Sequence, residues 1–433
     1  MSRKRTAKAT AAHMRNAELR REQAAYTENS PKGKVSAAEM VAASLYTGMT
    51  YAQQHDSLQM MNIIPSSRSS CFRKLKEVES KIKEATDAST QRARDEFSGF
   101  AAIDGRWSHR IRASEGSVIL ADIKSQERKV LARETLILDG GGRQNPNYSG
   151  HPGNMESEGT ERMFQKLANE GFLDKITVLT RDRDNKSGKI LEKYGLSDRE
   201  YHDPGHYKKN FSSIFEKFFK KYQKYEYDEA CGTVVFINAP FRGLQGPLEH
   251  YLAKVMKLED ADARESMWMN AVNHFIGDHS FCDHDQKEQS YFWRIGYDHT
   301  PLQKVLYNFL LKTAPVVRKL YSKYRSQLIE AINNEIANSA PKNISWKKIE
   351  VRVDAAILKH NEPENAYQII GECCGLNEPC EEIQNRWRKE NSSKIRRREE
   401  SHEQESIRAK NKLRYQTKNK INETAKCDYQ KKK

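Results

Sequence analysis

From residue 99 to residue 225 the chain strings strand-like and helix-like segments in an order that few architectures accommodate. "GFAAIDGRW" (99 to 107), "SVILADI" (117 to 123) and "RKVLARETLIL" (128 to 138) are apolar or β-branched runs separated by polar segments. The short turn "KSQE" makes the second and third a hairpin. A Gly/Asn/Pro-rich loop, "DGGGRQNPNYSGHPGN", leads to the helical segment "EGTERMFQKLANEG" and then to the strand "KITVLT". One helix later comes the short extended piece "REYHD", followed by a long basic and aromatic helix from His206 to Tyr225. Three strands in meander order, then strands fed through crossover helices, predict an α/β fold. Its core is a mixed sheet with helices on both faces.

The flanks differ from this centre. Residues 1–34 read as a basic flexible arm, and residues 35–96 as a helical domain compatible with DNA binding. The sheet pattern occupies 97–242, a helical insertion 243–325, and the end of the catalytic core 326–390. Residues 391–433 form a basic tail without apolar periodicity. With a net charge of +15 concentrated at the two ends, the chain is expected to bind a polyanion, with a nucleic acid favoured, and the N-terminal arm fits nuclear targeting or DNA contact. No apolar run approaches a membrane span, and the N-terminus lacks the apolar stretch of a signal peptide. Seven cysteines in no disulfide-like array indicate a reducing compartment.

Two carboxylates stand out by position. Asp104 lies in the first strand and Asp182 at the end of the fourth, and these strands are usually neighbours in such a sheet. Glu330, on the late helix "RSQLIEAINNEIANSA", is placed to close over them. Each carboxylate pair within about 4 Å costs on the order of 4 kcal/mol at a surface-like dielectric, so such a cluster needs protons or cations. Hard oxygen donors select Mg²⁺ or Mn²⁺. A separate pairing, Asp203 and His206 in "HDPGHYKK" with His279 and Cys282 in "GDHSFCDHD", has the spacing of a structural zinc site; His284 is a substitute ligand. The alternative for that pairing is a polar turn plus an ordinary capping histidine.

Taken together, five blocks resemble the DDE transposases of the Mutator-like and Kolobok class, whose catalytic domain is ribonuclease H-like. "AIDGRW" is similar to the family's D-G-x-W block, and "NYSGHPGNMESEGTERMF" to its N-x-x-G-x-x-x-x-M-E-x-E-G-x-x-x-x-F segment. "TRDRDNKSGKILEKYG" resembles the block of the second acid, with Arg183 where the family has glycine. "HDPGHYKKN" matches a [C/D]-x2-H signature, and "SQLIEAINNEIANSAPK" resembles the segment of the third acid, with its opening shortened.

The resemblance implies a ribonuclease H-like sheet interrupted by the insertion, with Asp104, Asp182 and Glu330 as metal-binding catalytic residues. It implies cleavage at transposon ends followed by strand transfer with a 3′-hydroxyl nucleophile, in a homo-oligomer on paired DNA ends. The departures leave Asp184 as an alternative to Asp182 and Glu335 as an alternative to Glu330. Arg110, with His109, and the helix lysines Lys208 and Lys209 are candidates for contacting the DNA backbone, or else a solvated surface. A domesticated DNA-binding protein that no longer cuts, and a metal-dependent nuclease of similar fold, are the competing functions.

Overall fold

The computed structural model describes residues 33–107, 113–125, 127–140, 145–182, 185–220, 225–228, 233–236, 239–279, 299–324, 326–340 and 348–378, with scattered positions to 392. The chain divides into two compact units, one of Met1–Ile82 with Glu362–Lys433 and the other of Lys83–Asn361. The divisions between these units fall after Ile82 and after Asn361. Helix α3 (Arg68–Asp95) is continuous through the first boundary, so no break in periodicity marks it.

In the first unit, α1 (Ala37–Thr47) starts at a capping box made by Ser36 and Glu39 and stops at Gly48, whose φ of 78° is left-handed. A second box, Thr50 with Gln53, opens α2 (Tyr51–Met60). Tyr46 of α1 meets Tyr367 edge-on at 5.1 Å, which joins the segment after Glu362 to the N-terminal helices.

The second unit is built on five strands: β1 (Phe100–Trp107), β2 (Glu115–Asp122), β3 (Val130–Ile137), β4 (Val178–Arg181) and β5 (Glu200–His202). Their order is β3-β2-β1-β4-β5, with β1, β2 and β3 antiparallel in sequence and β4 parallel to both β1 and β5. This is the mixed sheet the segment order predicts. Alternate residues supply opposite faces. Ile103, Val118, Leu120 and Leu179 pack with Phe164 and Leu191, which come from α4 (Met155–Asn169) and α5 (Asn185–Lys193). Ala102, Ile119 and Ala121 pack with Ile329, Ile332 and Ile336 of α11 (Gln327–Ser339) and with Val353 and Ile357 of α12 (Ile349–Asn361).

The aromatic side of α6 (Pro204–Phe219) nucleates a separate core: Phe211, Phe215 and Phe219 pack with Leu248, Trp268 and Phe309. Those partners lie on α7 (Ala239–Val255), α8 (Ala261–Met269) and α10 (His299–Arg318), with α9 (Ala271–Ile276) between them. The helix expected to run to Tyr225 ends at Phe219, and Tyr225–Asp228 (β6) pairs with Thr233–Phe236 (β7). Alternating aromatic and β-branched residues outweigh helical periodicity there. Among the described residues no helix is long and apolar enough to cross a membrane.

Trp107 ends β1 opposite Gly116 of β2, and its indole lies across both Gly105 and Gly116. A Cβ on Gly116 would run into that ring and toward the Arg106 carbonyl. Gly116→Ala is expected to cost about 1–3 kcal/mol by overpacking, read as a lower thermal midpoint.

Candidate functional site

Parallel register places the first two acids. Ile103 of β1 pairs with Arg181 of β4, so Asp104 and Asp182 are the next residues along two adjacent strands. Neighbouring strands lie about 4.8 Å apart. Ile103 belongs to the face covered by α4 and α5, so Asp104 turns to the opposite face, under α11. There its carboxylate accepts from the Gly105 N–H and from Asn333 Nδ2, each at 2.8 Å. Glu330 lies one turn before Asn333, on the same side of α11.

A histidine links the other two acids. His206 Nδ1 meets Asp182 Oδ1, and its Nε2 meets Glu330 Oε1 at 2.8 Å. A ring with both nitrogens facing carboxylate oxygens serves both only as an imidazolium, with two donors. Burial works against that charge, but Asp182, Asp203 and Glu330 outweigh it and raise the His206 pKa. The acids are also perturbed. Burial and the nearby charge of Asp182, with a smaller contribution from Glu330, push Asp104 up to about 6 against its hydrogen bonds. Burial raises Asp182 despite His206.

Asp203 has a different task. It caps α6 by accepting the His206 N–H on Oδ1 at 2.9 Å. Its Oδ2 accepts the Ser326 N–H at 2.6 Å and the Ser326 hydroxyl at 2.7 Å. Asp203 spends both oxygens on helix starts, and the His206 ring faces Asp182 and Glu330. His279 packs edge-on against His274 at 4.8 Å. Cys282 and His284 lie outside the described residues, as do Asp184, His109 and Arg110. Glu335 faces away and meets His360 Nδ1 at 2.9 Å, which leaves Glu330 as the acid beside Asp182. Lys208 and Lys209 are exposed on α6 immediately after His206.

Among the described residues no group of three or more His, Cys, Asp or Glu side chains is placed so that it could hold a metal ion. The fit to a divalent cation is one of donors and charge. Burial, with the charges of Asp182 and Glu330, disfavours the ionised form of Asp104, a conflict that a hard cation among oxygen donors relieves.

The support behind Asp182 was not legible as a site in the sequence. Arg181 donates Nε to Glu200 Oε1 at 2.6 Å and Nη1 to the Asp182 carbonyl at 2.8 Å. Lys319 donates to the other Glu200 oxygen at 2.6 Å. The available signal was a charged residue at the end of one predicted strand, Arg181, and another inside the next, Glu200. On the α4 side, Glu156, Thr160, Arg181 and Ser187 line a small polar cleft against Asp182. Asn333 carried no signal of its own beyond lying three residues after Glu330.

No family model matches the sequence, and no curated protein matches it. Solved structures similar to the chain include the Drosophila P element transposase strand transfer complex, at 11% identity and a TM-score of 0.30, over 84% of this chain and 100% of that one.

Proposed function

We propose that the protein is a DDE transposase with a ribonuclease H-like catalytic domain, cutting DNA at transposon ends and joining it to a target. The observation that carries this reading is the in-register placement of Asp104 and Asp182 on adjacent parallel strands, with Glu330 joined to Asp182 through His206. Asp104, Asp182 and Glu330 would hold Mg²⁺ or Mn²⁺. When bound, such ions activate a water or a 3′-hydroxyl and stabilise the leaving oxygen of a phosphodiester.

The chain's own residues do the rest. Asn333 and the Gly105 N–H orient Asp104, and Arg181 holds the turn that presents Asp182. His206 carries a proton between Asp182 and Glu330, so the acids stay together against their repulsion. Lys208 and Lys209 supply charge for a DNA backbone next to the acids. Paired DNA ends, a homo-oligomer and a nuclear location belong to the same proposal.

A second reading, a DNA-binding protein that no longer cuts, is favoured by one observation: the His206 ring already lies between Asp182 and Glu330 with a nitrogen on each. Excision of a donor flanked by the gene's own terminal repeats, in Mg²⁺ or Mn²⁺, separates the two. Wild type is expected to excise, and Asp182→Asn and Glu330→Gln to lose at least about a thousandfold. Equal excision by these variants and wild type would reject the acids as catalytic. DNA binding without excision by wild type would select the second reading.

A further inference from the structure

Two helices that bear the candidate site begin at one buried carboxylate. Asp203 is 4% exposed and sits between the starts of α6 and α11. One oxygen caps the helix of His206, and the other takes both donors of Ser326, the residue that opens the helix of Glu330. Ser326 makes no side-chain cap to its own helix; its hydroxyl is given to Asp203 instead. Glu330 follows one turn on, its N–H bonded to the Ser326 carbonyl at 3.2 Å.

The other end of α11 is also held. Arg106, 4% exposed and two residues past Asp104, donates Nη2 to the carbonyl of Ala340, the C-cap of α11. A carboxylate at the N-terminus and a guanidinium at the C-terminus both complement the helix dipole. The helix thus has neither a free start nor a free end along which to slide or rotate.

We propose that Asp203 is the positioning residue for Glu330, setting the distance between Glu330 and Asp182 by starting α6 and α11 from a single carboxylate. The proposal rests on Glu330 being the third acid. It requires Asp rather than Asn at this position. An amide could keep its oxygen on the His206 N–H, but its NH₂ would then face the Ser326 N–H, donor against donor.

The test uses full-length protein labelled with ¹⁵N-histidine and free of added metal. Asp203→Asn is expected to move the His206 Nε2 resonance to its position in Glu330→Gln, because the ring loses that partner. Ser326→Ala, which keeps the Asp203 charge and removes one donor, should move it the same way by less, and it serves should Asp203→Asn fail to fold. In the excision assay Asp203→Asn should fall at least tenfold with the fold retained. An Nε2 resonance unmoved in both variants would overturn the proposal, even if all three acids prove essential to excision. A moved resonance with no metal-dependent excision by wild type would instead sustain the positioning role and sink the transposase reading.

Discussion

Asp104→Asn is expected to make the protein more stable and inactive at once. Ionising Asp104, whose pKa is pushed up to about 6 from 3.8, costs the folded state about 3 kcal/mol relative to the unfolded chain. A carboxyl raised in the folded state gives its full stability below the unfolded value. It loses that stability as pH rises through about 6. At pH 7.5 the amide removes this cost and gives up one charged acceptor, leaving a net gain of about 1–2 kcal/mol. For a unit of this size that is a rise of roughly 2–8 °C in thermal midpoint. Calorimetry at pH 7.5 and pH 4 should show the gain at the first and not at the second. On the proposed function, the same variant should also lose excision at least about a thousandfold, because one of the three acids that would hold a divalent ion is gone. A midpoint that falls at pH 7.5 would mean that Asp104 is an ordinary hydrogen-bonded carboxylate without strong repulsion from Asp182.

Glu200→Ala is expected to be among the most destabilising single changes in the sheet. Glu200 and Arg181 have side chains 6% and 7% exposed, and Glu200 also holds Lys319. Removing the carboxylate takes the Glu200 counter-charge away from the buried Arg181 guanidinium, a loss of about 3–5 kcal/mol. The midpoint should drop by on the order of 10 °C. Although burial opposes it, Lys319 and Arg181 lower the Glu200 pKa. Its contribution is therefore present above the usual Glu value and is lost as pH falls through the lowered one. Lys319→Ala should cost much less, since Arg181 keeps its partner. Because Arg181 also grips the Asp182 carbonyl, Glu200→Ala should weaken excision more than unfolding alone explains.

The comparison between sequence and structure turns on particular residues. Asp104 and Asp182 were legible because strand periodicity and segment order are local signals, and parallel pairing of β1 with β4 follows from the order. The D-x2-H pair was legible as a unit, but its chemistry was not. Whether Asp203 and His206 bind metal, cap a helix or meet another acid depends on partners more than a hundred residues away, Ser326 and Glu330. The hairpin of β6 and β7 was hidden by the helical aromatic run before it.

Taken alone, the sequence determined the mixed sheet, the helices on its two faces, the basic ends and the pair of acids at adjacent strand ends. These are consequences of hydrophobic period, turn chemistry and charge, which each residue carries with it. The tertiary structure alone decided that Glu330 meets His206, the ring that also meets Asp182, while Glu335 meets His360. It alone decided that Asp203 ties two helices together and that Arg181 is neutralised by Glu200. Buried charge must find a partner wherever the fold brings one, and no local pattern records which partner that will be.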